Sequence, residues 1–354
     1  MARALELAHK GLFTTTPNPR VGCVIVRGEK VVGEGWHEKA GGPHAEINAL
    51  AAAGAQAAEA TAYISLEPCV HHGRTPPCTD ALIAARVARV VAAMPDPNPQ
   101  VAGNGLAALK SAGIRAETGI LENEARELNI GFVSRMTRGR PWVRMKIAAS
   151  LDGKTALMNG RSQWITGSAA RRDGHAWRAR ACAVLTGIGT LRDDDPQLTV
   201  REVATPRQPL RVIVDSRLEA PPAAKALAGG GTLVAAAVHD DKKMRALRDK
   251  GAEIVVLPNA AGKVELGELM RELGRRGINE VHVEAGFKLN GSMLREGLVD
   301  ELLLYLAPHL LGDAARGMFD LPALEDLSGR HELKIHDLSM VGDDIRVIAR
   351  VVKV

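Results

Sequence analysis

Three residues of zinc-binding type follow one another in the first quarter of the chain: His44, Cys69 and Cys78. One imidazole and two thiolates can form a catalytic zinc site, in which the fourth metal position stays open for water. Zinc lowers the pKa of such a water toward about 7. Glu46 lies two residues after His44 at a predicted helix start, so its carboxylate can take the water proton and pass it to leaving ammonia. The order H-x-E, then P-C, is typical of zinc nucleobase deaminases.

The spacing of the two cysteines departs from that general pattern. Eight residues, 70–77, separate them, whereas the general signature has two. On spacing alone, two buried cysteines remain an alternative to a metal site. The segment is polar and turn-rich, as a loop closing over a site would be, and His71 and His72 either contact substrate or are solvated. Cys78 starts a predicted helix, whose dipole favours a thiolate.

The elements that must position these residues form an alternating α/β pattern over 1–137. Two β-branched runs around a turn at Gly28-Glu29 predict a hairpin, and Pro43 precedes an Ala-rich helix that would carry Glu46. The order of elements predicts an α/β sandwich. The predicted strands are 21–26, 31–36, 62–65 and 89–93, and the predicted helices are 1–10, 44–53, 78–85, 105–112 and 121–135.

A charged segment with both helix breakers, Arg138-Gly139-Arg140-Pro141, predicts a joint between two domains, 1–140 and 141–354. A second α/β pattern begins after it and predicts a mainly parallel sheet with helical crossovers. Its predicted strands are 142–149, 183–186, 210–215, 232–238, 253–257, 280–283 and 302–307, and its predicted helices are 168–180, 242–250, 268–275 and 288–295.

Composition bounds the class of protein. The 354 residues are 46% hydrophobic and 25% charged, which excludes a mainly disordered chain and suits two domains. No apolar run reaches a membrane span, and the N-terminus does not read as a signal peptide, so we expect a soluble cytoplasmic protein. Four cysteines make no disulfide framework, and Cys23 and Cys182 are predicted core residues. A net charge of +5 with only 3% aromatic residues fits small phosphate ligands at least as well as nucleic acid.

The second half carries no G-x-G-x-x-G fingerprint after a strand. A glycine-rich turn at 187–190 follows a predicted strand; by itself it reads as a plain turn, although it could present N–H groups to a phosphate. The segment 283–286 also ends a strand and leads into a helix. Two such turns suggest a dinucleotide site at the carboxyl edge of the sheet without proving one.

The chain resembles the bifunctional deaminase–reductases of riboflavin biosynthesis. The resemblance rests on HAE at 44–46 and on LEPCVHHGRTPPC at 66–78, preceded by TPNPRVGCVIV, and in that family the long cysteine spacer is the normal pattern. Val70 departs from the family's usual small polar residue. The match continues in order through DPNPQVAGNG, ASLDGKTA, SQWIT, DDPQLTVR, VEAG and LVDELLLYLAPHLLG.

This resemblance implies a cytidine-deaminase-like first domain and hydrolytic loss of ammonia from a diaminopyrimidinone that carries a phosphoribosylamino group. It implies that His44, Cys69 and Cys78 bind one zinc ion and that Glu46 shuttles the proton. It also implies that Asn18 contacts the pyrimidine. An amide can read donor and acceptor edges of such a ring, although a residue between two prolines can equally be a plain turn residue.

For the second domain the resemblance implies a dihydrofolate-reductase-like fold that uses NADPH to reduce the opened ribose to a ribityl chain. Lys146 and Asp194 are candidates to protonate the product, and Arg178 and Arg201 can fork onto the substrate phosphate. The implied substrate contacts are Ser162, Arg178, Leu198, Arg201 and Glu284. The implied cofactor contacts are Ala148, Trp164, Thr190, Asp194, Ser216, Gly286, Phe287, Lys288, Leu289, Asn290, Gly291 and Ser292.

Two other functions remain to be weighed. A nucleic-acid deaminase with an appended binding domain is disfavoured by the low aromatic content and by the lack of a concentrated basic tract. A nucleotide-binding regulator with a structural zinc is disfavoured by Glu46, because a closed structural site needs no proton shuttle. The sequence therefore favours a two-step enzyme with a small-molecule substrate and no nucleic-acid or membrane partner, and a homodimer is a reasonable oligomeric state.

Overall fold

The computed structural model describes residues 1–71 and 76–352. The chain divides into two compact units, one of residues 1–139 and one of residues 140–354. Each unit has its own sheet and its own buried apolar cluster. No helix in the described ranges is long and apolar enough to cross a membrane.

The first unit is built on a five-stranded sheet in the order β2-β1-β3-β4-β5. The predicted hairpin is confirmed, since β1 and β2 pair antiparallel, and β1 also pairs antiparallel with β3. The last three strands run parallel, so their carboxyl ends meet at one edge. The strands are β1 (Gly22–Arg27), β2 (Lys30–Trp36), β3 (Thr61–Ile64), β4 (Arg89–Ala92) and β5 (Arg115–Thr118), and the helices are α1 (Ala2–His9), α2 (Ala45–Ala53), α3 (Cys78–Ala84), α4 (Asn104–Ser111), α5 (Glu122–Leu128) and α6 (Ile130–Arg138).

Helix α2, which carries the candidate catalytic carboxylate, lies unusually close to the hairpin. A Cβ atom built on Gly33 or Gly35 of β2 would come within 2.3 or 2.4 Å of the α2 backbone at Ala49. Only glycine permits that approach, and the α2 residues that face the hairpin are small and buried alanines. The Ala-rich helix is therefore packed directly on the sheet, and its first turn is held rigidly.

Two local predictions for this unit are wrong. Strand β5 was not predicted, because its pattern RAET is mostly exposed and polar. The single predicted helix 121–135 is two helices, α5 and α6, divided at Asn129. The side chain of Asn129 bonds main-chain groups of Arg20 across the fold, and a helical pattern in the sequence cannot show such a contact.

The second unit contains a nine-stranded sheet in the order β11-β10-β9-β8-β12-β6-β13-β16-β15 within the described residues. The first seven strands in this order, from β11 through to β13, all run parallel, which confirms the prediction of a mainly parallel sheet. The strands are β6 (Trp142–Ser150), β7 (Lys154–Ala156), β8 (Ala183–Gly187), β9 (Leu210–Val214), β10 (Thr232–Ala236), β11 (Ala252–Val256), β12 (Glu280–Val283), β13 (Glu301–Ala307), β14 (Arg316–Gly317), β15 (Leu333–Val341) and β16 (Asp344–Val351).

The helices of this unit connect the parallel strands, and four of the five were predicted. The helix at Ile188–Asp194 was not, because its glycine-rich start was interpreted as a plain turn. The helices are α7 (Ser168–Arg180), α8 (Ile188–Asp194), α9 (Asp241–Arg248), α10 (Leu266–Arg275) and α11 (Phe287–Arg295). Two features of this unit were not predicted. One is the antiparallel pair of β15 and β16 at the end of the sheet, and the other is the small ribbon of β7 with β14. β15 is mostly exposed and does not show the continuous apolar run of a buried strand.

Candidate functional site

The structure brings the three predicted zinc ligands of the first unit together. The Nδ1 atom of His44 lies 3.2 Å from Sγ of Cys78 and 3.6 Å from Sγ of Cys69. All three candidate ligand atoms lie within 4.8 Å of one another. Zinc with tetrahedral bonds of about 2.0–2.3 Å to nitrogen and sulfur would hold its ligand atoms roughly 3.5–3.8 Å apart. The donor set and its separations therefore fit a zinc ion.

Backbone geometry explains why residues far apart in sequence meet here. His44 is the residue before the first turn of α2, and Cys78 is the first residue of α3. Cys69 lies on a turn after β3, and the first residues of α3 hold this turn in place. The N–H of Thr79 donates to O of Cys69, and the N–H of Cys78 donates to Sγ of Cys69 at 3.3 Å. Two helix starts and one strand end thus converge on a single point.

The two sulfur atoms are not equivalent before a cation binds. The hydrogen bond from Cys78 lowers the pKa of Cys69 to about 4, against the effect of burial and with support from His44. The same hydrogen bond raises the pKa of Cys78, and burial adds to the effect. Cys69 is therefore the sulfur that loses its proton more readily, and a bound cation would favour the second thiolate by its charge.

The carboxyl group of Glu46 is buried beside this cluster, with only 3% of the residue exposed. Burial raises the pKa of Glu46 to about 7, although its own N–H and His44 act in the opposite direction. A group with such a pKa can both accept and return a proton near neutral pH. The environment is therefore that of a proton shuttle and not that of a surface carboxylate.

Glu67, which the sequence analysis did not single out, holds two segments of the site together. Its carboxylate accepts hydrogen bonds from N–H of Asp96, Gly103 and Leu106 at 3.0–3.1 Å. Its own N–H donates to O of Met94. Glu67 thereby ties the turn that carries Cys69 to the DPNPQVAGNG segment after β4. The sequence did contain a signal for Glu67: it is a charged residue between a predicted buried strand and the Pro-Cys pair.

A second histidine, His37, connects Asn18 to the metal cluster. The ring of His37 packs edge-on against that of His44, with centroids 5.3 Å apart, and its Nε2 lies 3.1 Å from Nδ2 of Asn18. The Nδ1 atom of His37 lies 2.9 Å from O of Pro43, which can only accept, so Nε2 is the acceptor for Asn18. Burial lowers the pKa of His37, in keeping with this neutral form. No sequence pattern indicated His37.

The other histidines and cysteines near the predicted site or core are His71, His72, Cys23 and Cys182. His71 is half-buried, whereas His72 lies outside the described residues. Cys23 and Cys182 are both buried, which confirms them as core residues.

The second unit contains a cavity of about 1670 Å³ at the carboxyl ends of its parallel strands. That is larger than the roughly 300–1,000 Å³ of a site for one small molecule, so cofactor and substrate can share it. The five substrate contacts predicted for the second domain line it, as do ten of the twelve predicted cofactor contacts. Trp164 stands at its edge with 71% exposure and stacks on Arg171 at 4.7 Å.

The remaining two predicted contacts, Gly291 and Ser292, do not line the cavity. A Cβ on Gly291 would come within 2.1 Å of O of Asp320, so this residue packs against the backbone there. The hydroxyl of Ser292 donates to O of Lys288 in the preceding turn of α11. Both positions belong to the second turn of the helix, and the first turn, from Phe287 to Asn290, faces the cavity.

The start of α11 and the start of α8, which follows Gly187, face the same space. A Cβ on Gly286 would lie 3.7 Å from Oγ1 of Thr190, and one on Gly189 would meet no atom within 4 Å. Oδ1 of Asn290 is buried here without a hydrogen-bond partner in the described chain. A helix start, an open glycine position and an acceptor without a partner fit a phosphorylated dinucleotide.

A charged cluster occupies the floor of the cavity. Arg178 donates to both carboxylate oxygens of Glu284, one at 2.7 Å, and to O of Thr199. Burial raises the pKa of Glu284, but Arg178 outweighs it, and the pKa lies well below its ordinary value. Burial lowers the pKa of the neighbouring Lys146, opposed by Glu284. Three of the five N–H groups of Arg178 are thus used within the protein, which leaves Arg201 as the less committed arginine.

Comparisons with known proteins cover both units. A family model for the cytidine and deoxycytidylate deaminase zinc-binding region matches residues 1–94, and one for the RibD C-terminal domain matches residues 141–347. The chain is 48% identical to riboflavin biosynthesis protein RibD of Escherichia coli K12, over 98% of this chain and 96% of that protein. It is 41% identical to the RibD of Aquifex aeolicus, over 98% and 96%.

Solved structures are similar over almost the full length. One crystal form of Acinetobacter baumannii RibD superposes with a TM-score of 0.93 at 45% identity, covering 99% of this chain and 98% of that one. The diaminohydroxyphosphoribosylaminopyrimidine deaminase/5-amino-6-(5-phosphoribosylamino)uracil reductase of Thermotoga maritima superposes with a TM-score of 0.87 at 33% identity, covering 99% and 97%.

Proposed function

The chain belongs to the RibD family of riboflavin biosynthesis proteins, and we propose that residues 1–140 carry its deaminase activity and residues 141–354 its reductase activity. It is a bifunctional enzyme that uses zinc in hydrolytic deamination and NADPH in reduction. The predicted cytidine-deaminase-like and dihydrofolate-reductase-like folds are confirmed by the family. The observation that carries the division of labour is the placement of the metal cluster and the large cavity in separate units.

The substrate of the first step is 2,5-diamino-6-(5-phosphoribosylamino)pyrimidin-4(3H)-one. His44, Cys69 and Cys78 would hold the zinc ion, which would supply Lewis acidity and lower the pKa of the attacking water. A carboxylate oxygen of Glu46 accepts the water proton while the water oxygen bonds to the ring carbon that carries the amino group. Glu46 then returns the proton to that amino group as the C–N bond breaks and ammonia leaves. The amide of Asn18, oriented by His37, reads the edge of the pyrimidine ring. The first product is 5-amino-6-(5-phosphoribosylamino)uracil.

The second step reduces the ribose of that product to the ribityl chain in the cavity. NADPH supplies the hydride. The first turn of α11, Thr190, Ser216 and Trp164 all line the cavity and would hold the cofactor. Arg201 would bind the substrate phosphate, Arg178 would hold the carboxylate of Glu284 toward the sugar, and Lys146 would donate a proton to the reduced group. This is supported by their common position in the cavity lining and by the bond from Arg178 to Glu284. Asp194 is a second candidate proton donor, since burial raises its pKa.

A direct assay distinguishes this function from nucleic-acid deamination. The purified protein is incubated separately with the diaminopyrimidine ribotide and with polynucleotides, and ammonia release is measured together with NADPH absorbance. We expect ammonia from the ribotide alone, followed by NADPH oxidation. Ammonia released only from a polynucleotide would overturn the proposal, as would a protein that stays inert toward the ribotide after zinc is restored.

We also propose that the protein is a cytoplasmic homodimer without a nucleic-acid partner. The edge strand β15 exposes Leu333, Ile335, Leu338 and Met340 at 43–65%, and it pairs on one side only within the described chain. A long apolar edge of this kind is an aggregation hazard unless another chain covers it. A second copy related by a two-fold axis presents the same apolar edge and can cover it.

Light scattering tests the dimer. We expect twice the chain mass of 37.6 kDa for the unaltered protein and a shift to the single-chain mass for Leu338→Lys. The matched control is Leu324→Lys, which changes an exposed leucine outside β15 (54% exposed, against 65% for Leu338). A monomeric unaltered protein, or a Leu338→Lys dimer, would contradict this interface.

A further inference from the structure

A buried amide, that of Asn129, fastens the loop that presents Asn18 to the rest of the first unit. Oδ1 of Asn129 accepts the N–H of Arg20 at 2.8 Å, and its Nδ2 donates to O of the same residue at 2.9 Å. Asn129 is 1% exposed. Its amide therefore pairs with the backbone of Arg20 as a neighbouring strand would, and both main-chain groups of this residue are satisfied by a single side chain.

Other contacts reach the same loop from the same helical break. The guanidinium of Arg20 donates to O of Leu128 at 2.6 Å, and Arg135 of α6 donates to O of Pro17 at 3.3 Å. Asn18 lies between these two fastened positions, and its N–H donates to O of Thr15. The position of the Asn18 amide is therefore set from the junction of α5 and α6, about 110 residues along the chain.

The break between α5 and α6 has a physical reason in this contact. The pattern from 121 to 135 predicts one helix, yet the backbone at Asn129 leaves helical geometry, with φ −108° and ψ 20°. Asparagine readily gives its side chain to backbone groups and tolerates such a conformation. Local violations of helix preference of this kind are expected where the chain must serve a functional site.

We propose that Asn129 is a positioning residue that sets the place of Asn18 and thereby the affinity of the deaminase for its pyrimidine. The proposal rests on the proposed substrate contact of Asn18. Asn129 itself touches neither the metal cluster nor the substrate. It acts by holding the backbone two residues from an amide that must meet the ring within a fraction of an ångström, where small misplacements are costly.

The experiment uses the full-length zinc enzyme and steady-state ammonia release. Asn129→Asp keeps the size and one acceptor but loses the donor to O of Arg20 and places a carboxylate oxygen there. We expect KM for the diaminopyrimidine ribotide to rise about tenfold, with kcat, zinc content and NADPH oxidation of supplied second-step substrate little changed. Asn129→Ser, which can serve only one of the two main-chain groups, is the second variant if the first fails to fold. The matched control is Asn123→Asp, an exposed asparagine on α5.

A double-mutant cycle separates positioning from general stability. If Asn129 acts through Asn18, the double variant Asn18→Ala/Asn129→Asp has the same KM as Asn18→Ala alone. Additive effects on KM, or a loss of kcat at unchanged KM, would overturn the proposal, because both indicate a merely structural role. KM of the single variant Asn18→Ala is measured first. An unchanged KM in that variant would refute the substrate contact of Asn18, on which the proposal rests.

Discussion

The two units of this enzyme build their sites in opposite ways. In the first unit, three ligands and one carboxylate lie within residues 44–78 and converge at two helix starts and one strand end. In the second, the cavity is lined by residues spread from 146 to 316, and no short segment supplies more than a part of it. The chemistry of the first step depends on a few atoms around one point, whereas that of the second depends on a surface that positions two large ligands.

This difference teaches where each site is vulnerable. Removing one group from a concentrated site should abolish the reaction without disturbing the fold. Removing one group from a distributed site should reduce both activity and stability, because neighbouring charges and packing depend on that group. The predictions below test that contrast, beginning with the largest expected effect.

Glu46→Gln removes the proton-accepting oxygen and keeps the volume of the side chain. We expect ammonia release to fall by about 10²–10⁴-fold, because general acid–base catalysis is lost. Zinc content should stay near one ion per chain, and NADPH oxidation with supplied deaminated product should be unchanged. Chelation of the metal should likewise stop only the first activity. Loss of both activities would indicate a single shared site, and undiminished ammonia release would refute the role of Glu46.

Arg178→Gln leaves the carboxylate of Glu284 in the cavity floor without its partner. We expect the free energy of unfolding of the second unit to fall by about 3–5 kcal/mol, the usual cost of breaking a buried ion pair, and NADPH oxidation to fall with it. Adding Glu284→Gln should restore much of the stability but not the activity. Chemical denaturation and NADPH absorbance measure the two effects. Full activity in the double variant would show that the pair is only structural.

Glu67→Gln weakens the acceptor for three main-chain N–H groups beside Cys69. We expect the first unit to lose about 1–3 kcal/mol of unfolding free energy and to release zinc to a chelator faster. The second unit should unfold as before. Glu124→Gln, an exposed glutamate on α5, is the matched control. Unchanged zinc release would mean that Glu67 does not hold the ligand turn.

The smallest expected effect is a pH dependence of the second unit. Burial, with Arg178 and Arg201, lowers the pKa of His175 to about 4, whereas the unfolded value is about 6.5. The unfolded chain therefore binds more protons between these values, and stability should decrease as pH falls from 6.5 toward 4. Its Nδ1 accepts the N–H of Arg201, a bond that protonation removes. His175→Gln should make the thermal midpoint less dependent on pH in this window, and an unaltered slope would contradict the assignment.

Prediction from sequence succeeded where the signal is local. The hairpin of β1 and β2, helix α7 at residues 168–180 and strand β12 at 280–283 were predicted at or near their observed bounds, because apolar periodicity and breaker residues determine such elements. It failed at β5 and β15, whose exposed residues lack a strand pattern, and at Asn129, where a contact with Arg20 interrupts a helical sequence.

The sequence alone determined the class of chemistry, since an imidazole, two thiols and a carboxylate in that order suit zinc-assisted hydrolysis and few other reactions. Tertiary structure decided the rest: that Glu67, His37 and Asn129 hold the loops of the first site, and that Arg178 is committed to Glu284 in the second. The reason is that metal ligands are recognised by residue type and spacing. A hydrogen bond between residues 109 positions apart, such as that of Asn129 with Arg20, exists only once the chain has folded and brought those residues together.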